Sequence, residues 1–202
     1  MLFLKDWLEI LTPHMLDDFE PAVNKTLASN TRAWLWNGKR GRSIPVNQSI
    51  TIYASSSPAI SRMVFEQACS RAGAGAPVPA MHAFLRDARV VLVQGRHRAA
   101  VLEASTAAEL ALRELFDVRL QSLDSAIADA LESNAREMGR LVQLLRKLGN
   151  VPLPQNIETE LLHVRNRAIH RGEEPDASEA RASVSVAAML VDQVSSRSGL
   201  TR

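Results

Sequence analysis

Cysteine is almost absent from this chain: Cys69 stands alone among 202 residues. A disulfide framework within the chain is therefore excluded, and so is a zinc site built on several thiolates. Aromatic residues are also scarce, at 4%. Strands favour aromatic and β-branched side chains, whereas Ala and Leu, plentiful here, suit helices. The shortage argues against a β-sandwich and for closely packed helices. No apolar run reaches the ~20 residues of a membrane-spanning helix. The opening Met1-Leu2-Phe3-Leu4-Lys5-Asp6-Trp7 meets charge too soon for a good signal peptide. The default expectation is a cytoplasmic protein with no membrane partner. A charge imbalance is missing as well. The net charge is +2, and residues 81–202 hold 16 basic and 16 acidic side chains. Nucleic-acid contact in that part must come from local clustering, not from a global field.

What is present fits a folded chain, at 46% apolar and 23% charged. The length suits one ordinary domain, or one with a small companion. The sharpest break in composition is Ala72-Gly73-Ala74-Gly75-Ala76-Pro77-Val78-Pro79. Glycine and proline there interrupt helix and sheet alike, which places a boundary between a region at 1–75 and a domain at 80–202. In the first region, Leu2 to Leu11 reads as a short amphipathic helix stopping before Pro13. Asn37-Gly38-Lys39-Arg40-Gly41 reads as a turn, and Ile44 to Tyr53 alternates weakly, as an edge strand would. Ser57-Pro58 offers an N-cap and a first-turn proline for a helix through Ile60, Met63, Val64 and Ala68. The region is a small α+β or irregular one.

The second region is mainly α. Met81 to Val93 has Phe84, Leu85, Ala88, Val91 and Leu92 on one side. Arg98 to Phe116 is rich in alanine, and small side chains let a neighbouring helix approach closely, so this helix is expected at the centre. Leu120 to Leu148 forms one long helix, or two joined near Ser133-Asn134, ending at Gly149. Asn156 can cap a helix that runs through Ile157, Leu161, Val164 and Ala168 to Gly172. Asp176 and Glu179 have capping-box spacing ahead of a last helix bearing Ala180, Val184, Ala187 and Val191 on one face. The sum is a helical bundle of four to five helices.

The chemistry gathers in Leu161-Leu162-His163-Val164-Arg165-Asn166-Arg167-Ala168-Ile169-His170-Arg171-Gly172. At ~3.6 residues per turn, Asn166 and His170 share a face about 40° apart, and Arg165 lies about 140° from His170. The long arginine side chain can still swing toward the imidazole. If Gly172 ends the helix, His170 sits beside unpaired carbonyls, at the end of the dipole that favours imidazolium. Histidine can take a proton from a ribose 2′-hydroxyl or give one to a leaving oxygen. Arginine can hold the phosphate and stabilise charge growing on it, which gives Arg167 and Arg171 candidate supporting roles beside Arg165. The scheme calls for no metal and no cofactor. The plainer alternative is a solvated cationic helix end that complements the dipole.

Arg165-Asn166, three residues, then His170 at a helix end resembles the Arg-x4–6-His signature of the HEPN superfamily, whose domains are helical bundles. A polar residue directly after the arginine is common in that family, and Asn166 supplies it. Phe84-Leu85-Arg86-Asp87-Ala88, Arg98 to Ala104 and Thr106 to Leu112 resemble the first helices of bacterial members. The resemblance covers about residues 81–194 and does not extend to 1–75. It implies a metal-independent endoribonuclease of defence, toxin–antitoxin or RNA-processing type. Two copies would dimerise so that both Arg/His motifs line one cleft, with RNA as substrate and an antitoxin or other protein as partner. Arg165, Asn166 and His170 would be the catalytic residues, and Glu109 matches a family tendency for an acidic residue on an early helix. Other members are non-catalytic binding or assembly modules, so that alternative stands beside the nuclease. A nucleic-acid binder without chemistry is a third.

Other features have plainer readings. Arg86, Arg89, Arg96, His97 and Arg98 could meet RNA phosphates, but a solvated turn explains them too. Trp34 and Trp36 could stack on bases, yet such a pair more often packs into a core from one side of a strand. His97 and His163 read as ordinary surface residues and Cys69 as a small buried one. Glu173-Glu174 reads as a loop charge pair.

Overall fold

The computed structural model describes residues 2–12, 23–25, 32–36, 41–45, 50–52, 61–149 and 151–196, with side chains for 4–12, 61–149 and 151–196. The chain divides into two compact units. One combines Met1–Leu16 with Ile60–Arg202, and the other is Asp17–Ala59. The boundary expected at 72–79 is thus corrected. The first helix and the chain after residue 60 belong together, and the inserted unit begins and ends elsewhere.

The cause of the correction is a contact that no local signal reports. Helix α1 (Leu2–Leu11) buries Trp7 and Leu11 against Ala68 of helix α2 (Arg62–Gly73). The Trp7 indole N–H donates to the Ala76 carbonyl at 3.2 Å, and the Arg71 guanidinium lies 5.0 Å from the centre of the Trp7 ring. That carbonyl sits in the stretch that reads as a linker, so the glycines and prolines make a tight connection inside one unit. Helix α2 starts at Arg62 with Ser61 as its cap, whose hydroxyl accepts from Val64 N–H. The expected cap at Ser57-Pro58 lies outside the described residues.

The inserted unit carries the strands β1 (Val23–Lys25), β2 (Arg32–Trp36), β3 (Gly41–Pro45) and β4 (Ile50–Ile52). β1 pairs antiparallel with β4, and β2 with β3. The run expected as one strand from Ile44 to Tyr53 is therefore split between two pairs. Trp34 and Trp36 stand opposite Ser43 and Gly41. Most of the Asn37 to Gly41 turn lies outside the described residues.

The larger unit is mainly helical. Helix α3 (Ala80–Val93) packs on α4 (His97–Leu120), and both meet the last helix, α8 (Ala177–Val194). On α4, Ala100, Ala104, Ala107, Ala108 and Ala111 are all fully buried. Their spacing draws one stripe along a 3.6-residue helix, and methyl-sized side chains bring the neighbouring axes close. The central position expected for this helix follows from that stripe. Of the two forms expected between Leu120 and Leu148, the structure has the pair broken after Asn134: α5 (Ser125–Asn134) and α6 (Met138–Leu148), with Leu120 ending α4. Asp124 caps α5 by accepting from Ala126 N–H, and Gly149 ends α6 at φ +71°. Leu141, Val142 and Leu145 of α6 enter the same core as Leu161, Val186 and Leu190.

Between α6 and α8 runs a helical segment, α7, over 157–171. Its ends, Ile157–Leu162 and Arg167–Arg171, are π-helical, and His163–Asn166 between them is α-helical. Asn156 makes no side-chain cap, contrary to expectation; its amide instead donates to Glu160 Oε2 at 2.5 Å. The hydroxyl of Ser183, fully buried on α8, donates to the Glu160 carbonyl at 2.5 Å. A buried hydroxyl without a partner would be costly, so this bond pins α7 to α8 at one register.

Candidate functional site

The end of α7 is fixed from three directions. Val164 and Ala168 are buried, with Val164 packed against Val101 and Ala180. Gly172 terminates the helix in the left-handed conformation at φ +67°, and its N–H donates to the Arg167 carbonyl. This stop is the one expected from the sequence, and glycine suits it because it has no Cβ to clash. The loop then delivers Asp176, whose carboxylate accepts from Glu179 N–H at 2.8 Å while Glu179 Oε2 accepts from Asp176 N–H at 3.1 Å. The expected capping box is present in both halves.

The polar face of α7 and the first turn of α8 form an open groove of about 710 Å³. Among the described residues it is lined by His163, Asn166, Arg167, His170, Arg171 and Glu179. His163, Asn166, His170 and Arg171 are exposed, and Arg167 and Glu179 are half-buried. The π-turn contributes to this grouping. Bonding from i to i+5 gives each residue a smaller rotation than the ~100° of an α-helix, so Asn166 and His170 stay on one side while the turn widens.

The structure separates the expected residues into two sets. Asn166, His170, Arg167 and Arg171 come together in the groove. Arg165 is half-buried and is not among the lining residues; its Nη1 donates to Asn166 Oδ1 at 3.3 Å, so it reaches the groove only through that amide. Glu109 lies elsewhere on α4, where it pairs with Arg113 at 2.8 Å. His163, read from the sequence as an ordinary surface residue, lines the groove with His170. Its spacing of seven from His170, near two helical turns, was the available signal. Glu179 was legible as a cap but not as a wall of the site.

Charge in the groove is partly internal. Arg167 bonds to the Glu179 carboxylate and lies 3.5 Å from Glu173. The hydrogen bond that Arg167 donates to Glu179, then the charge of that carboxylate, raise the Arg167 pKa further above the ordinary guanidinium value. Arg167 is thus a permanent cation with a resident counter-charge. Arg171 is exposed, 3.7 Å from Glu173. The second basic cluster does not behave as a unit. Arg86 is held by Asp6 at 2.5 Å and Asp87 at 2.7 Å, which ties α1 to α3 and withdraws that guanidinium from outside ligands. The Arg98 N–H donates to Glu174 at 3.2 Å, giving one member of the Glu173-Glu174 pair a structural task. Cys69 is only partly buried.

Among the described residues, no group of three or more His, Cys, Asp or Glu side chains is placed to hold a metal ion. No described helix is long and apolar enough to cross a membrane. No protein-family model matches the chain. No curated protein and no solved structure matches it either. The groove's own chemistry is therefore the basis for a functional reading.

Proposed function

We propose that this protein is a metal-independent endoribonuclease of HEPN type, with its site in the groove at the end of α7. The observation that carries the reading is the exposed His170 ring, which opens on the same groove as Asn166, Arg167 and Arg171. An imidazole free to exchange protons beside guanidinium groups is the minimum equipment for moving a phosphodiester's charge and protons. In this reading His170 transfers a proton, Asn166 orients the ribose or phosphate, and Arg165 steadies Asn166 from outside the groove. Arg167 and Arg171 attract the RNA backbone, while Glu109 has only a structural role, through Arg113. The working form is a cytoplasmic homodimer that joins two Arg/His motifs, and the biological setting is defence or a toxin–antitoxin pair whose antitoxin covers the groove.

The test is cleavage of a 5′-labelled RNA by the full chain in excess chelator. Products ending in a 2′,3′-cyclic phosphate are expected, with the rate reduced by Arg165→Ala and by Asn166→Ala. Cleavage that requires added metal, or none at all, would reject the reading.

One observation favours a second reading. Arg165 stands off the groove and Arg167 is already paired with acidic residues, as expected where the helix end serves only to bind α8. The chain would then be a non-catalytic helical assembly module, forming a stable complex and turning over no RNA between pH ~5 and ~9, the range in which histidine could act.

A further inference from the structure

The nuclease reading leaves one side chain of the groove without a task. His163 is exposed and lines the same groove as His170. No hydrogen bond or ion pair to another described residue engages its ring. We propose that His163 is the second proton-transfer group of this site, so that one copy of the chain holds both the acid and the base for cleaving an RNA phosphodiester. The inference rests on the nuclease reading and adds to it.

Elimination within the groove supports it. Cleavage by internal attack needs a proton removed from one oxygen and a proton delivered to another. Arginine stays protonated throughout, so Arg167 and Arg171 can hold charge but not exchange protons, and the Asn166 amide does neither. The Glu179 carboxylate has one oxygen on Arg167 and the other on the Asp176 N–H. Among the described lining residues, the two imidazoles remain as the groups that can both accept and donate a proton.

Their placement suits the task. Attacking and leaving oxygens lie roughly in line through phosphorus, so acid and base must stand on opposite sides of it. Seven residues along a helix separate the two backbones by about 10 Å, and both side chains line the groove. Asn166 and Arg167 fall between them in sequence. A phosphate over that middle stretch has one ring at each end. One imidazole takes the 2′-hydroxyl proton as O2′ bonds to phosphorus. The P–O5′ bond breaks, and the other ring, as imidazolium, gives its proton to O5′. A 2′,3′-cyclic phosphate and a 5′-hydroxyl leave, and solvent resets the two rings, so the step needs no further reactant.

The experiment measures single-turnover cleavage of a short RNA from pH 5 to 9 by the full chain and by His163→Ala, His163→Asn and His170→Ala. The wild type is expected to give a bell-shaped profile. Both His163 variants are expected to lose one limb of it and to slow by about 10²–10⁴-fold, the usual contribution of one proton-transfer group. Unchanged circular dichroism excludes a folding defect. In parallel, NMR follows the histidine ring protons as uridine 3′-monophosphate is added, and both rings are expected to respond together. His163 variants that keep the full bell while His170→Ala is inactive overturn this inference and leave the nuclease reading in place. So does a nucleotide that moves the His170 ring alone. A silent wild type removes both proposals.

Discussion

Changing Glu179 to Gln separates the two tasks of one side chain. Glutamine can still accept from the Asp176 N–H, because the capping box tolerates either residue at that position. What it loses is the negative charge beside Arg167. The cap therefore stays, α8 keeps its start, and the groove gains one unit of positive charge. If RNA lies in the groove, the released Arg167 can meet one more phosphate. For single-stranded nucleic acid each such contact steepens the slope of log K against log salt by about 0.7, so the affinity gain over wild type should shrink by ~2.6-fold between 50 and 200 mM salt. Fluorescence anisotropy of a labelled RNA, titrated with Glu179→Gln and wild type across that range, reads the slope directly. Glu179→Ala is the control that loses the charge together with the Glu179 half of the capping box, while the Asp176 carboxylate still accepts from the backbone N–H of residue 179, so it should be less stable than Glu179→Gln. An unchanged slope in Glu179→Gln, or weaker RNA binding at low salt, would refute the idea that Arg167 faces the phosphate path.

Two further predictions concern the scaffold. Gly172→Ala should destabilise the larger unit by about 1–2 kcal/mol, because φ +67° penalises a Cβ even though open space surrounds it; thermal unfolding that matches wild type would contradict this. Ala104→Leu should lower the melting temperature by roughly 2–12 °C, since added methylenes must displace α3 or α8 from a fully buried stripe. A neutral result in the same scan would show that the stripe is not the contact that sets the spacing of these helices.

Much of the fold was legible because it depends on neighbours in sequence. The 3.6-residue repeat of Leu85 and Ala88, the alanine stripe of α4, the glycine stop at 172 and the Asp176–Glu179 box each act within a turn or two of the chain. The boundary at 72–79 was misread because Trp7 returns to Ala76 from 69 residues away, and glycine and proline signal a turn without saying what packs against it. The place of Arg165 was only partly legible. Ideal α-geometry sets it about 140° from His170, and the π-turns at both ends of α7, which change that angle, were not legible in the spacing. Arg167 was visible as a cation but not as a paired one, since Glu179 approaches from the following helix. His163 had its spacing in plain view; only the shared groove gives that spacing a meaning.

On the nuclease reading, the exposed imidazole at the end of α7 acts on RNA. Its most direct test is the single-turnover rate of His170→Ala against wild type on one labelled RNA, in chelator and at matched helix content. A fall of at least about a hundredfold is expected. Equal rates for the two proteins would contradict it.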